Sequence, residues 1–152
     1  MLTSPLAIKL IKHFEGLRLK PYLCPAGYTT IGYGHVLSSG ESIQSLTEAE
    51  AEALLLTDIT RAERAVLRLI TVPLTPSQFD SLVDFVFNLG AGALQRSTLR
   101  QKINRQEHED VPNEFLRWVY AGGKRLNGLV KRRTFDALLY QGLTDVVEHL
   151  LS

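Results

Sequence analysis

The sequence contains only one cysteine, one tryptophan and one methionine among its 152 residues. A single cysteine excludes an internal disulfide, so the fold does not depend on an oxidising compartment. No apolar run is long enough to span a bilayer, and lysines and a histidine interrupt the apolar start of the chain, unlike a signal peptide. From these absences we expect a protein made in the cytoplasm, without stable membrane insertion.

Neither sign of charge dominates the chain, because 17 Lys and Arg residues oppose 16 Asp and Glu residues. This near-zero balance argues against a dedicated nucleic-acid binder. Residues 96–133 nevertheless hold ten basic residues against four acidic ones. Such a local excess suits an anionic polymer such as nucleic acid or cell wall, or it forms a solvated helical face. Because 45% of the residues are hydrophobic, the composition is that of an ordinary soluble globular protein.

Helix-capping signals divide most of the chain into helices, with sharp starts after Ser4, Thr47 and Thr75. The predicted helices span residues 5–15, 48–70, 76–89, 91–104, 112–120 and 130–142, and the last of these is expected to end the packed part. Residues 22–37 lose the helical period. Their aromatics and the turn sequence "PAGY" predict a small β-hairpin, and one more short strand is expected near residues 42–44.

These elements predict an α+β, mostly helical fold in a single domain over residues 1–152. A small α+β lobe is expected over about residues 13–58, followed by a long connecting helix. A helical lobe over about residues 70–152 would include the N-terminal helix.

Glu15 is the first candidate for chemistry, because it falls on the last turn of the first predicted helix. The negative end of the helix dipole and burial beside Phe14 would both oppose an ionised carboxylate. Both effects would raise the pKa of Glu15 toward the range that a general acid needs. An exposed glutamate at a frayed helix end is the alternative interpretation.

The predicted hairpin carries a thiol and a hydroxyl on one face. If Gly27 is the centre of the turn, Cys24 lies directly opposite Thr30, with Cβ atoms about 4.5–5.5 Å apart. Gly32 and Gly34 would share this face by the two-residue period of a strand. Glycine inside a strand often marks the close approach of a ligand, although it can also serve a tight turn. The first interpretation gives an open floor for a sugar or a water beside the hydroxyl.

The stretch "EGLRLKPYLCPAGYTTIGYGH", residues 15–35, resembles the phage-type lysozymes (endolysins) of glycoside hydrolase family 24. Those enzymes show Glu, Asp and Thr at this spacing before "IGYGH". The stretches "FNLGAGALQRSTLRQKIN" and "GLVKRRTFDALLY" resemble the helical lobe of the same family. The resemblance implies a two-lobed lysozyme-like fold without a cofactor. It also implies hydrolysis of the β-1,4 bond between N-acetylmuramic acid and N-acetylglucosamine in peptidoglycan, for host cell lysis at the end of a phage cycle.

The resemblance also implies catalytic roles. Glu15 would be the general acid, and Thr30 would help to hold the attacking water. Cys24 stands at the position of the family's aspartate, and residues 16–40 contain neither Asp nor Glu. A free thiol has a pKa of about 8.5 and is mostly neutral at pH 7. Three interpretations stay open: a thiolate acting as base or transient nucleophile, a spectator thiol, and a protein that has lost activity and only binds glycan.

Four further positions are expected to contact the substrate. Val36, Phe87 and Thr98 match positions that line the saccharide cleft in the family, and Gly32 lies on the hairpin face described above. Each of these residues is equally compatible with a place in the core.

His35 is predicted to point away from Thr30 and to form a structural ion pair with Asp58, where the family also has an acid. Such a pair raises the pKa of the histidine and lowers that of the aspartate. No metal site is predicted, because the spacing of Cys24 and the histidines matches no zinc pattern.

The expected partners are peptidoglycan glycan strands, with no role for nucleic acid. The protein is expected to be a monomer that is made in the host cytoplasm and needs a holin to reach the wall. One rival function is a lytic transglycosylase, which closes a 1,6-anhydro ring without water, against which the water-holding role of Thr30 argues. The other is a catalytically impaired peptidoglycan-binding protein.

Overall fold

The computed structural model describes all residues from Met1 to Ser152 as a helical protein with a small antiparallel sheet. The helices are α1 (Pro5–Glu15), α2 (Glu48–Leu69), α3 (Pro76–Leu89), α4 (Ala91–Arg96), α5 (Thr98–Asn104), α6 (Val111–Phe115), α7 (Asn127–Tyr140) and α8 (Thr144–Leu151). The strands are β1 (Arg18–Leu23), β2 (Thr29–Gly32), β3 (His35–Val36), β4 (Tyr120–Ala121) and β5 (Lys124–Arg125). The first three form one sheet in chain order, and β4 pairs with β5. The predicted α+β, mostly helical fold class is confirmed.

Local capping contacts fix the starts of α1, α2 and α3 where the sequence predicts them. The Ser4 hydroxyl accepts a hydrogen bond from the Ala7 amide at 3.2 Å. Thr47 and Thr75 each form a complete capping box with the residue three positions on. A cap of this kind stabilises a helix by about 1 kcal/mol. None of the helices is long and apolar enough to cross a membrane.

Two sequence predictions for short elements are wrong. Residues 42–44 form no strand, because β3 occupies the place beside β2 and leaves this stretch as irregular chain. The helix predicted over residues 112–120 ends at Phe115. Gly122 and Gly123 then adopt positive φ angles of 57° and 77°, which allow Tyr120 to turn back as part of the β4–β5 hairpin.

Two further predictions about the helical part need correction. The stretch 91–104 forms two helices, because the Ser97 side chain accepts from the Arg100 amide at 2.9 Å and starts α5 anew. The packed part does not end at residue 142. α8 follows and buries Val147 completely in a cluster with Leu10 and Leu139.

The main core joins the sheet to the helices through α2 and α3. α2 contacts β2 and β3 as well as α3 and α4, so one helix carries both the sheet and part of the helical body. α3 is the most buried helix, with Phe79, Leu82, Val83 and Phe85 fully inaccessible to solvent. α1, in contrast, packs on α3 and α8. The end of α1 is therefore fixed by the helical body, whereas the β1–β2 hairpin belongs to the sheet. The predicted lobe boundaries stay a prediction.

Candidate active site

A cavity of about 830 Å³ lies where the end of α1, the β1–β2 turn, the end of α3 and the β4–β5 hairpin meet. Its volume is within the range of about 300–1,000 Å³ that is usual for ligand sites. The predicted site residues that line it are Glu15, Cys24, Thr30, Val36 and Phe87. The three side chains predicted to carry the chemistry therefore face one common space.

Gly32 and Thr98 do not line this cavity. Gly32 has a φ of +68°, and a Cβ built there would lie 3.4 Å from Leu46 Cδ1 and 3.8 Å from the Ala51 side chain. Its missing side chain thus makes room for the chain leading into α2 rather than for a ligand. Thr98 lines a separate cavity of about 240 Å³ together with Trp118.

The register of the hairpin differs from the prediction by two residues along β1. Tyr22, not Cys24, pairs with Thr30. The reason is the turn: the Gly27 amide donates to the Cys24 carbonyl at 2.8 Å, and the Cys24 amide donates to the Tyr28 carbonyl at 2.9 Å. Cys24 is therefore opposite Tyr28, and Thr30 is its diagonal neighbour on the same face. The thiol and the hydroxyl still face the same space, but they are not directly opposed.

The turn also provides the electrostatic environment of the thiol. The backbone amide of Tyr28 is the largest influence and lowers the pKa of Cys24 below its ordinary value. Burial opposes this effect, and the backbone amide of Ala26 adds to the lowering of that pKa. The Thr30 hydroxyl itself donates to the Tyr28 carbonyl at 3.1 Å, which leaves its oxygen free to accept a hydrogen bond. A larger fraction of Cys24 is therefore thiolate at a given pH than for a cysteine with the ordinary pKa.

Glu15 ends α1 as predicted, and two residues distant in sequence fix its carboxylate. Oε2 accepts a hydrogen bond from Arg132 Nη1 at 2.8 Å. On another side, Gly34 has a φ of +73°, and a Cβ built there would lie only 2.8 Å from Glu15 Cδ. Gly34, rather than Gly32, is therefore the hairpin glycine that permits a close approach.

Arg132 anchors this carboxylate and was not predicted from the sequence. Its side chain is only 5% exposed, and Nη2 and Nε donate to Asp84 Oδ1 at 2.8 and 3.1 Å. Burial opposes the charge on Asp84, but the Arg132 guanidinium outweighs it and lowers the pKa of that carboxyl. The sequence does carry a signal for this contact, because Asp84 lies within the apolar helical stretch "FDSLVDFVF". A buried carboxylate needs a buried basic partner, and "KRR" at residues 131–133 offers one.

A second buried pair lies behind the first. Arg133 Nε is 3.1 Å from Asp136 Oδ2, and both side chains are fully buried. Burial, and next the charge of Asp84, raise the pKa of Asp136 well above its ordinary range, and Arg133 opposes this rise. The guanidinium groups of Arg132 and Arg133 lie 2.8 and 4.0 Å from the Asp84 carboxylate, so the buried charge on Asp84 is compensated.

His35 and Asp58 make the predicted contact, with Nδ1 of the histidine 2.7 Å from Oδ2 of the aspartate. A second carboxylate, Glu41, lies 3.1 Å from Nε2 and was not predicted. Burial opposes the charge on His35, but the hydrogen bonds to Asp58 and Glu41 outweigh it and raise the pKa of the histidine. The pair links β3 to α2 and so fixes the sheet beside the cavity.

Comparison with known proteins identifies the family. The family model of phage lysozyme matches residues 12–136. The chain is 46% identical over 139 residues to an endolysin of Bacillus phage B103, a match that covers 90% of this chain and 53% of that protein. It is 42% identical over 144 residues to an endolysin of Acyrthosiphon pisum secondary endosymbiont phage 1, covering 91% of this chain and 97% of that protein.

A solved structure, the muramidase domain of SpmX from Asticaccaulis excentricus, matches with a TM-score of 0.81 at 34% identity and covers 91% of this chain and 96% of that one. The chain thus spans about half the length of the Bacillus phage relative but nearly all of the other two. The chain belongs to the phage lysozyme family of glycoside hydrolases.

Proposed function

We propose that this chain is an endolysin that hydrolyses the β-1,4 bond between N-acetylmuramic acid and N-acetylglucosamine in bacterial peptidoglycan. The observation that carries the proposal is the single cavity that Glu15, Cys24 and Thr30 line together. Glycoside hydrolysis by a water molecule requires a general acid on one side of the bond and a base on the other. Glu15 supplies the acid in this cavity, and Cys24 beside Thr30 is the candidate base. Membership of the phage lysozyme family supports a glycan as the substrate.

Each of the three residues has one role in this proposal. Glu15, oriented by Arg132, gives its proton to the leaving glycosidic oxygen. The Cys24 thiolate takes a proton from the water that attacks the anomeric carbon. The Thr30 oxygen accepts a hydrogen bond from the same water and orients it. Because water attacks directly, the product has inverted configuration; attack by sulfur itself would give retention instead.

Substitutions at Cys24 test this assignment in a turbidity assay of wall lysis. Cys24→Ala should lower the rate by about 10²–10⁴-fold, the usual contribution of a general base. Cys24→Asp should keep activity and move the acid limb of the pH profile to lower pH, because a carboxyl titrates near ~4 and a thiol near ~8.5. In the unchanged chain, lysis should rise with pH through the lowered pKa of Cys24.

The same assays separate the rival functions. Equal rates for the unchanged chain, Cys24→Ala and Cys24→Asp would make the thiol a spectator. Mass analysis of the digested wall would identify a lytic transglycosylase, because its 1,6-anhydro products are lighter than the hydrolysis products by one water. Absence of any turbidity drop with the purified protein would leave a peptidoglycan-binding protein, and Glu15→Gln provides the inactive control.

We further propose that the protein acts as a monomer, because one chain supplies every wall of the cavity. In a phage-infected cell it would be made in the host cytoplasm and would reach the wall after a holin opens the membrane. Expression of this chain in bacteria with and without an added membrane permeabiliser tests that route. Lysis without the permeabiliser would contradict it, and a dimer in sedimentation would contradict the monomer.

A further inference from the structure

A second cavity of about 380 Å³ adjoins the proposed active site. Gly34, Val36 and Phe87 line both cavities, so a chain bound in one has direct access to the other. The second cavity continues from these residues to the face of α2, which contributes Arg61 and Arg68. No residue with a role in the proposed hydrolysis lines it, so it has no part in the chemistry described above.

The two arginines make this cavity cationic. They are seven residues apart on α2, so they project from the same side of the helix, about 10 Å apart along its axis. Arg61 is 76% exposed and its nearest carboxylate oxygen, on Asp58, is 3.8 Å away. Asp58 is the only carboxylate that lines the cavity, and His35 already engages it at 2.7 Å. Arg68 pairs with no acid, so both guanidinium groups are available to an anionic ligand.

We propose that this cavity binds the carboxylates of the peptide stem carried by the same glycan strand, an inference that rests on the proposed function. N-acetylglucosamine offers no charge to an arginine. The lactyl group of each muramic acid, in contrast, bears a short peptide with free carboxylates. A guanidinium binds a carboxylate through two parallel hydrogen bonds, which gives both affinity and orientation.

The rest of the lining fits the same ligand. Ala62, Ala65, Val86 and Phe87 give the cavity an apolar floor between the arginines and the active site. Peptide stems are rich in alanine, whose methyl groups suit such a floor, while their carboxylates reach the cationic wall. A bare sugar chain would contact the floor but would leave both arginines unused.

The test compares two substrates and two matched variants. The substrates are peptidoglycan with intact stems and the same glycan after an amidase has removed them. The first variant is Arg61→Gln/Arg68→Gln. The second, Lys9→Gln/Arg64→Gln, removes the same charge from exposed residues that line none of the three cavities described above.

The Arg61/Arg68 variant should raise KM on the intact substrate by about 3- to 30-fold, since two partly solvated charge pairs are lost. Its kcat, and its KM on the stripped glycan, should match those of the unchanged chain, and the control variant should match on both substrates. An equal rise in KM on both substrates would place bare glycan in the cavity, and an equal rise in both variants would indicate general attraction to the wall. No rise at all would also overturn the inference. Failure of the proposed function is distinct, because the unchanged chain would then cleave neither substrate.

Discussion

Arg132 contacts the proposed catalytic acid and a buried aspartate at once, so its replacement should affect stability and activity by separate routes. In Arg132→Gln the fully buried Asp84 would lose the guanidinium that now donates to it at 2.8 Å. Removing one member of a buried ion pair costs about 3–5 kcal/mol. Arg133 remains 4.0 Å from Asp84 and compensates in part, so we expect the lower end, about 3 kcal/mol.

This cost predicts a measurable change in the melting temperature. A domain of 152 residues has an unfolding entropy of about 0.3 kcal/mol/K near its midpoint, so 3 kcal/mol corresponds to a fall of about 9 °C. Thermal unfolding followed by circular dichroism measures it. Arg117→Gln is a matched control, because the Arg117 side chain is 66% exposed and pairs with Glu114 at 3.2 Å on the surface. Loss of this exposed ion pair should lower the free energy of unfolding by less than about 1 kcal/mol.

A second substitution separates the two routes. In Asp84→Asn/Arg132→Gln the uncompensated charge is gone, so most of the lost stability should return. Glu15 would still lack its anchor, and lysis should stay about 10–100-fold below that of the unchanged chain. A melting temperature of Arg132→Gln within about 3 °C of the unchanged chain would contradict the role of Arg132 in compensating Asp84. Persistent instability of the double variant would contradict it as well, and lysis of walls at full rate by that variant would contradict the anchoring of Glu15.

Two further predictions concern the sheet side of the cavity. Asp58→Asn should lower the pKa of His35 in an NMR titration and should destabilise the fold by about 1.5–3 kcal/mol near pH 5.5 in urea unfolding. A raised histidine pKa stabilises the fold below the unfolded pKa, and this contribution is lost as pH rises through the folded pKa. The loss should therefore be smaller near pH 9, and an equal loss at both pH values would refute the ion pair. Gly34→Ala should drive a methyl group into the Glu15 carboxylate and reduce lysis about 100-fold. Gly40→Ala carries similar backbone strain at a φ of +92° with no atom within 4 Å, and comparable loss in both would show that strain rather than collision is responsible.

The helix starts could be predicted from sequence because the contacts that fix them are local. Thr47 and Thr75 bond to residues three positions away, so four letters contain the whole signal. α8 lacks this signal, since Leu143 caps it without a side-chain hydrogen bond. Its place depends on burial of Val147 against other helices, which sequence spacing does not reveal.

Part of the membership of the candidate site was predictable, whereas its geometry, Arg132 and the places of Gly32 and Thr98 were not. The motif brought Glu15, Cys24 and Thr30 together, yet the hairpin register depended on which turn hydrogen bonds form. The two-residue shift changed every pairing but kept each side chain on its face of the sheet. The contact between Glu15 and Arg132 joins positions 117 residues apart. No local pattern encodes such a contact; it follows only once α1, α3 and α7 pack together.

The small cluster of Leu10, Phe135, Leu139 and Val147 joins the first helix of the chain to its last two. α8 therefore steadies the helix that presents the proton donor, although it lines no part of the cavity. Truncation of the chain just before α8 would keep every residue that lines the cavity, yet it would remove the helix that packs behind α1 and Glu15. Reduced lysis by such a truncated chain would result from a less firmly packed α1, since every proposed catalytic side chain would still be present.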